Sequence, residues 1–259
     1  MSAAKTEAFV LKTYDYRDTS LLAHFYTKDF GKIHGIIKGV RDARYRYGST
    51  LEPFSLNEIL FYRRRRGADL HQVTQVEVIN NFQEVREDLE ALAYASYFVD
   101  LINHIVEIEE PSTGLFGLLK DAMQFLATKA SPRRSARIFE VKLFEMLGLM
   151  PEIRACVICQ DLGPSPAYFQ VGMGGILCQN CQGRSAAGDG QTTGIFLSRG
   201  AIQFLEHVRR SSMKELLNVK VSQEVGEELE KILRRFADFH LPRKLHSVTF
   251  LEKMGYIAR

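Results

Sequence analysis

Between Thr6 and Asn80 apolar residues alternate with residues of other character in five short runs, the pattern of strands that turn one face to a core. The first run carries Ala8 and Val10, with Lys12 next in the alternation. Residues 21–27, 32–40, 54–62 and 70–79 supply the other four, and Asp29-Phe30-Gly31 reads as the turn between the second and third. Five strands without an intervening helix predict a small closed or nearly closed barrel. Periodicity leaves two candidates open, a five-stranded oligonucleotide-binding (OB) barrel and an SH3-like barrel.

After Asn80 the apolar period changes from two to that of a helix. Val85, Leu89, Leu92, Val99, Ile102 and Val106 form one stripe, and Tyr94, Tyr97, Leu101, Ile105 and Ile108 widen it, so this helix is expected to be buried on most sides. Pro111-Ser112 opens a second helix with Leu115, Leu118, Leu119, Ala122, Phe125 and Leu126 inward. Ser131-Pro132 places a capping hydroxyl before a proline in the first turn of a third, which Gly148 and Pro151 end. Helices return over residues 198–210 and 222–240, with Pro242 as a stop, and are expected to pack on the first three. The fold class that follows is α+β multidomain: a barrel over residues 1–80, then a helical domain over 81–153 and 194–259, interrupted by residues 154–193.

That interruption is rich in Gly, Pro and Ser and poor in apolar residues, so burial alone is not expected to hold it. It contains all four cysteines of the chain, Cys156, Cys159, Cys178 and Cys181. Two disulfides are the alternative to a metal site, but a cytosolic address disfavours them. No apolar run approaches the roughly 20 residues needed to span a bilayer, and residues 1–9 lack the charged start and apolar stretch of a secretory signal, so a soluble cytoplasmic protein is expected. Two pairs spaced Cys-x-x-Cys with 18 residues between them are the two-knuckle pattern of a four-cysteine zinc site. Residues 167–171 and 176–177 read as hairpin strands that return the chain to the first pair. Four thiolates fill a tetrahedral shell, so one structural Zn2+ is expected and metal-assisted hydrolysis is not.

The formal net charge of +3 is unevenly spread. Residues 1–80 carry 13 Lys and Arg against nine acidic residues, residues 81–150 seven against 11, and residues 151–259 14 against 11, so the barrel is the basic part. Lys38, Arg41, Arg44 and Arg46, interleaved with Tyr45 and Tyr47, pair cations for phosphates with rings for bases and are the candidate DNA-binding residues. Arg63 to Arg66 add four consecutive charges, of which alternate members of a strand face opposite ways. Arg209-Arg210 reads as a helix end that favours cations. The seven histidines are scattered, and no His-Glu-x-x-His or paired-carboxylate motif is present, so no catalytic residue is nominated.

Several short motifs, in order and spacing, resemble RecO, the bacterial recombination mediator family, over nearly the whole chain. They are Ala8-Phe9-Val10-Leu11 with Tyr16-Arg17-Asp18-Thr19-Ser20-Leu21, Tyr26-Thr27 with Gly31-Lys32, Lys38-Gly39-Val40-Arg41, Leu51-Glu52-Pro53-Phe54, Phe139-Glu140 to Leu147-Gly148, and the knuckles with Gly175-Ile176-Leu177-Cys178. Residues 17–19 and Asp100 depart from that family's usual residues while keeping polarity. The resemblance implies an amino-terminal OB domain that binds single- and double-stranded DNA, a helical domain, and a zinc module that only some members retain. It implies annealing of complementary strands, binding to RecR, recognition of the carboxy-terminal tail of single-strand-binding protein, and loading of RecA onto coated strands, at the nucleoid within the cytoplasm. On the same resemblance Lys38 and Arg41 match the DNA-contacting positions best, and Arg137 lies where a contact to the acidic tail is expected. The chain is therefore read as a non-enzymatic DNA-binding mediator. A zinc-containing protein–protein adapter without direct DNA binding is the rival.

Overall fold

In a computed structural model of the chain, residues 2–16, 19–40, 51–63, 70–128, 130–161, 163, 166–186, 194–213, 215–241 and 245–257 are described, the side chains of 184–186 excepted. Contacts divide the chain into two compact units, residues 1–129 with 245–251, and residues 130–244 with 252–259.

The first unit begins with five strands, β1 (Ser2–Tyr16), β2 (Ser20–Thr27), β3 (Gly31–Ile37), β4 (Leu56–Arg63) and β5 (His71–Asn80). They close into a barrel in the order β1-β2-β3-β5-β4, antiparallel except for the β3–β5 pair. Alternation determines which residues fill it: Ala8, Val10, Ala23, Phe25, Ile33, Ile37, Ile59, Phe61, Val73 and Val76 point into one core. The alternation of β1 does not run unbroken to Lys12. Val10 pairs with Phe25 and Lys12 with His24, so Leu11 is an extra residue, and this bulge turns Lys12 outward. Gly31, at φ +67°, ends the turn; a Cβ there would lie 2.3 Å from the carbonyl oxygen of Glu110, so only glycine allows residues 108–110 to approach.

Beyond the barrel lie α1 (Gln83–Arg86), α2 (Leu89–Ile105) and α3 (Thr113–Ala127). The single helix expected after Asn80 is broken because Asp88 accepts the backbone N–H of Ala91, which starts α2 afresh. Ser112 caps α3 in the same way. Phe9 and Tyr26, outward on adjacent strands, pack against Phe116 of α3 at 5.4 and 5.9 Å between ring centres. Lys32 donates to the carbonyl oxygen of Asn103 at 2.8 Å, and Lys120 to Glu7 at 2.7 Å. The helices thus cover one half of the outer face of β1–β3. His104, a solitary helical histidine, is satisfied locally, with Nδ1 2.7 Å from the Asp100 carbonyl oxygen.

The second unit contains α4 (Pro132–Met146), α5 (Gln179–Ala186), α6 (Arg199–Arg210) and α7 (Gln223–His240), while α8 (His246–Lys253) falls across the division of the chain. Ser131, Ser198 and Ser222 cap α4, α6 and α7. Here lies also a four-stranded sheet, β6 (Glu152–Cys156), β7 (Ala167–Gln170), β8 (Gly175–Cys178) and β9 (Ile195–Leu197), in the order β6-β8-β7-β9. The expected hairpin is β7–β8; β6 and β9, too short to show a period, extend it on either side. Ile153, Ala167, Phe169, Ile176, Leu177 and Leu197 are buried, so this segment has more core than its composition suggests. Phe236 of α7 joins sheet to helix, 6.0 Å from the Phe169 ring and 4.9 Å from that of Phe144.

Candidate metal centre and nucleic-acid interface

The four cysteines converge as their spacing predicts. Their sulfurs all lie within 4.8 Å of one another, and those of Cys159 and Cys178 are 3.7 Å apart. A tetrahedral ion with metal–sulfur bonds of about 2.3 Å separates its ligands by about 3.8 Å, so the cluster fits a metal ion with little adjustment. Each pair is set by its own local structure. Cys156 ends β6; the chain turns back through Gln160 in the left-handed region, whose N–H donates to the Cys156 carbonyl at 2.9 Å, and this brings Cys159 alongside. Cys178 ends β8 and Cys181 sits in the first turn of α5, so a strand-to-helix junction forms the second pair. β6 lies against β8 at Gly175, where a Cβ would come within 2.5 Å of Val157 and 2.7 Å of the Glu152 carbonyl oxygen.

Cys156, Cys178 and Cys181 are buried and Cys159 is exposed. Burial raises the Cys156 thiol, but hydrogen bonds from the N–H groups of Cys159, Cys178 and Ile158 outweigh it and bring it down to about 6. The Asp161 N–H lowers Cys159, yet the neighbouring sulfurs and burial carry it up to about 12. Four thiols at this separation cannot all ionise without a cation between them.

The basic cluster is only partly described. Lys38 is exposed directly after β3, followed by Gly39 at φ +71°. Arg41, Arg44 and Arg46 lie outside the described residues, as do Arg64, Arg65 and Arg66. Arg63 ends β4, its guanidinium 5.3 Å from the Phe30 ring centre and 3.7 Å from Glu109. Beyond the Leu11 bulge, the outer face of β1–β3 carries residues that sequence reasoning missed. Lys12, His24 and His34 are directly paired across three strands, and Tyr14, Leu22 and Ile36 form the next row. The signal was available, since His34, Ile36 and Lys38 alternate on one strand and Leu22, His24 and Tyr26 on another, but the bulge hid the first strand's share.

Arg137 is not a surface residue. It is buried on α4, its Nε 3.0 Å from the buried Glu140 carboxylate one turn on. It also lines a cavity of about 230 Å³ together with Arg133, Arg134, Phe204, Val221 and Leu229. Arg134 is held there by donation to the carbonyl oxygens of Val219 and Leu217 at 2.8 and 3.0 Å. Arg209 pairs with Glu145 at 3.4 Å, in keeping with a structural role at its helix end. Among the described residues, no helix is long and apolar enough to cross a membrane.

Residues 1–82 match the family model described as "Recombination protein O N terminal", and residues 86–249 the one described as "Recombination protein O C terminal". The chain is 33% identical over 252 residues to the DNA repair protein RecO of Syntrophus aciditrophicus, covering 96% of this chain and 95% of that one. It is 32% identical over 258 residues to the RecO of Anaeromyxobacter dehalogenans, with 98% of each covered, and 30% identical over 253 residues to that of Moorella thermoacetica, with 97% and 91% covered. With both halves matched and the relatives aligned nearly end to end, the chain belongs to the RecO family of DNA repair proteins.

Proposed function

We propose that this chain is a non-enzymatic recombination mediator whose OB-type barrel binds single- and double-stranded DNA and anneals complementary strands. With RecR it would help load RecA onto strands coated by single-strand-binding protein. The observation that carries this reading is a closed five-stranded barrel in β1-β2-β3-β5-β4 order, built from the segment that matches the Recombination protein O N-terminal model. A five-stranded Greek-key barrel presents an open strand face to oligonucleotides. Lys38 at the end of β3, with Arg41, Arg44 and Arg46 after it, neutralises phosphates and screens the repulsion between two strands, so that complementary bases can pair. The metal is zinc, one ion on Cys156, Cys159, Cys178 and Cys181, with a closed shell that braces the sheet. The cavity on α4 is where this reading seats the acidic carboxy-terminal tail of single-strand-binding protein: Arg133 and Arg134 line it beside the apolar Phe204, Val221 and Leu229, while Arg137 is paired with Glu140, and Glu227 and Glu230 line it too.

The test is fluorescence anisotropy with labelled oligonucleotides at several salt concentrations. The wild type binds with affinity that falls steeply as salt rises. A Lys38→Glu/Arg41→Glu variant loses most of that affinity while its unfolding temperature is kept, because Lys38 is exposed. Unchanged binding by the variant would sink the assignment to Lys38 and Arg41, and salt-independent binding, or none, would favour the adapter reading.

A further inference from the structure

The outward positions of a barrel's strands are ordinarily polar unless another element covers them. On β1–β3 the covered half is accounted for by Phe9, Tyr26 and Lys32 under the helices. The other half carries flat rings instead. His24 and His34 stack with ring centres 4.0 Å apart and planes inclined by 26°. Tyr14, 39% exposed, lies 5.3 Å from His24, and the Lys12 ammonium sits 4.8 Å from the Tyr14 ring centre. Leu22 and Ile36, half-buried, fill the row beside them. The bulge at Leu11 is what turns Lys12 and Tyr14 to this face, and bulges commonly re-aim side chains beside functional sites. The charges that act on His24 are those of His34, Lys32 and Lys12. Lys38 follows His34 and Ile36 at the same two-residue step.

Resting on the reading of the barrel as a DNA-binding domain, we propose that Tyr14, His24 and His34 form a stacking platform for unpaired bases, with Lys12 and Lys38 holding the adjoining phosphates. His24 is packed between His34 and Tyr14, so the stacked rings hold the exposed Tyr14 ring in place, and its π face is one that any base can use, which gives affinity without sequence preference. Bases in a duplex are already stacked and cannot reach such a platform. The platform therefore adds to single-strand binding alone, while Lys38 serves both forms of DNA.

The experiment uses the full chain and three fluorescein-labelled probes: a 20-nucleotide oligo-dT, a strand of equal length made of abasic deoxyribose phosphates, and a hairpin duplex. The wild type binds oligo-dT about tenfold or more tighter than the abasic strand, the effect of one or two stacked bases. A Tyr14→Ala/His24→Ala variant loses that difference and keeps its duplex affinity within about twofold, while Tyr14→Phe/His24→Phe retains it. Near-wild-type unfolding temperatures, and duplex affinity itself, report that the barrel is folded. Equal wild-type binding of oligo-dT and abasic strand overturns the platform, as does an alanine variant that weakens both probes and duplex alike. If the wild type binds none of the three, the DNA-binding reading itself fails.

Discussion

His24 shows how much a single position depends on its neighbours. Burial, the adjacent imidazole of His34 and the ammonium groups of Lys32 and Lys12 hold it down from an ordinary 6.5 to about 4. The folded barrel therefore favours a neutral ring, whereas the unfolded chain takes up a proton near 6.5. Between those two values acidification draws protons into the unfolded state, so stability present above about 6.5 is lost as pH falls through about 4. We expect the stability gap between wild type and His24→Gln, by urea unfolding with metal retained, to shift against the wild type across that window. A gap independent of pH would mean that His24 titrates as it does in a peptide. Arg137 depends on its neighbours through an ion pair. The resemblance set it where a contact to an acidic tail is expected, while Glu140, three residues on, holds its guanidinium buried. That pairing was visible as an i, i+3 spacing, while burial depends on what α4 packs against and no local pattern states it.

At the scale of elements, what could be read was what is local. The cysteine pairs carry their geometry in their own spacing, and Ser131-Pro132 carries its cap, so both appear where expected. The break at Asp88, the Leu11 bulge and the short strands β6 and β9 depend on single hydrogen bonds or on a partner strand remote in sequence, which periodicity averages away. The four-stranded sheet has its own buried residues, yet its first and third strands in chain order end on cysteines of the cluster, so a metal ion held there would close what burial begins. Removing it with a chelator, or substituting Cys178→Ser, should lower the unfolding temperature and expose the β6–β8 backbone to hydrogen exchange, while affinity for DNA falls less. Exchange and stability unaltered by chelation would show that the cysteines hold no structural ion.

For the molecule as a whole, the barrel, the helices and the metal sheet divide the work of the proposed mediator. The barrel carries the exposed Lys38 after β3 and a ring-bearing outer face, and the second unit has a cavity beside α4 lined by three arginines and two glutamates. A mediator must do more than bind DNA, since many basic proteins anneal naked strands. The direct measurement is therefore annealing of complementary oligonucleotides already coated with the cognate single-strand-binding protein. The proposal predicts that the wild type accelerates duplex formation and that Lys38→Glu/Arg41→Glu reduces it toward the uncatalysed rate. An unaccelerated rate with active wild-type protein, or full acceleration by the variant, would contradict it.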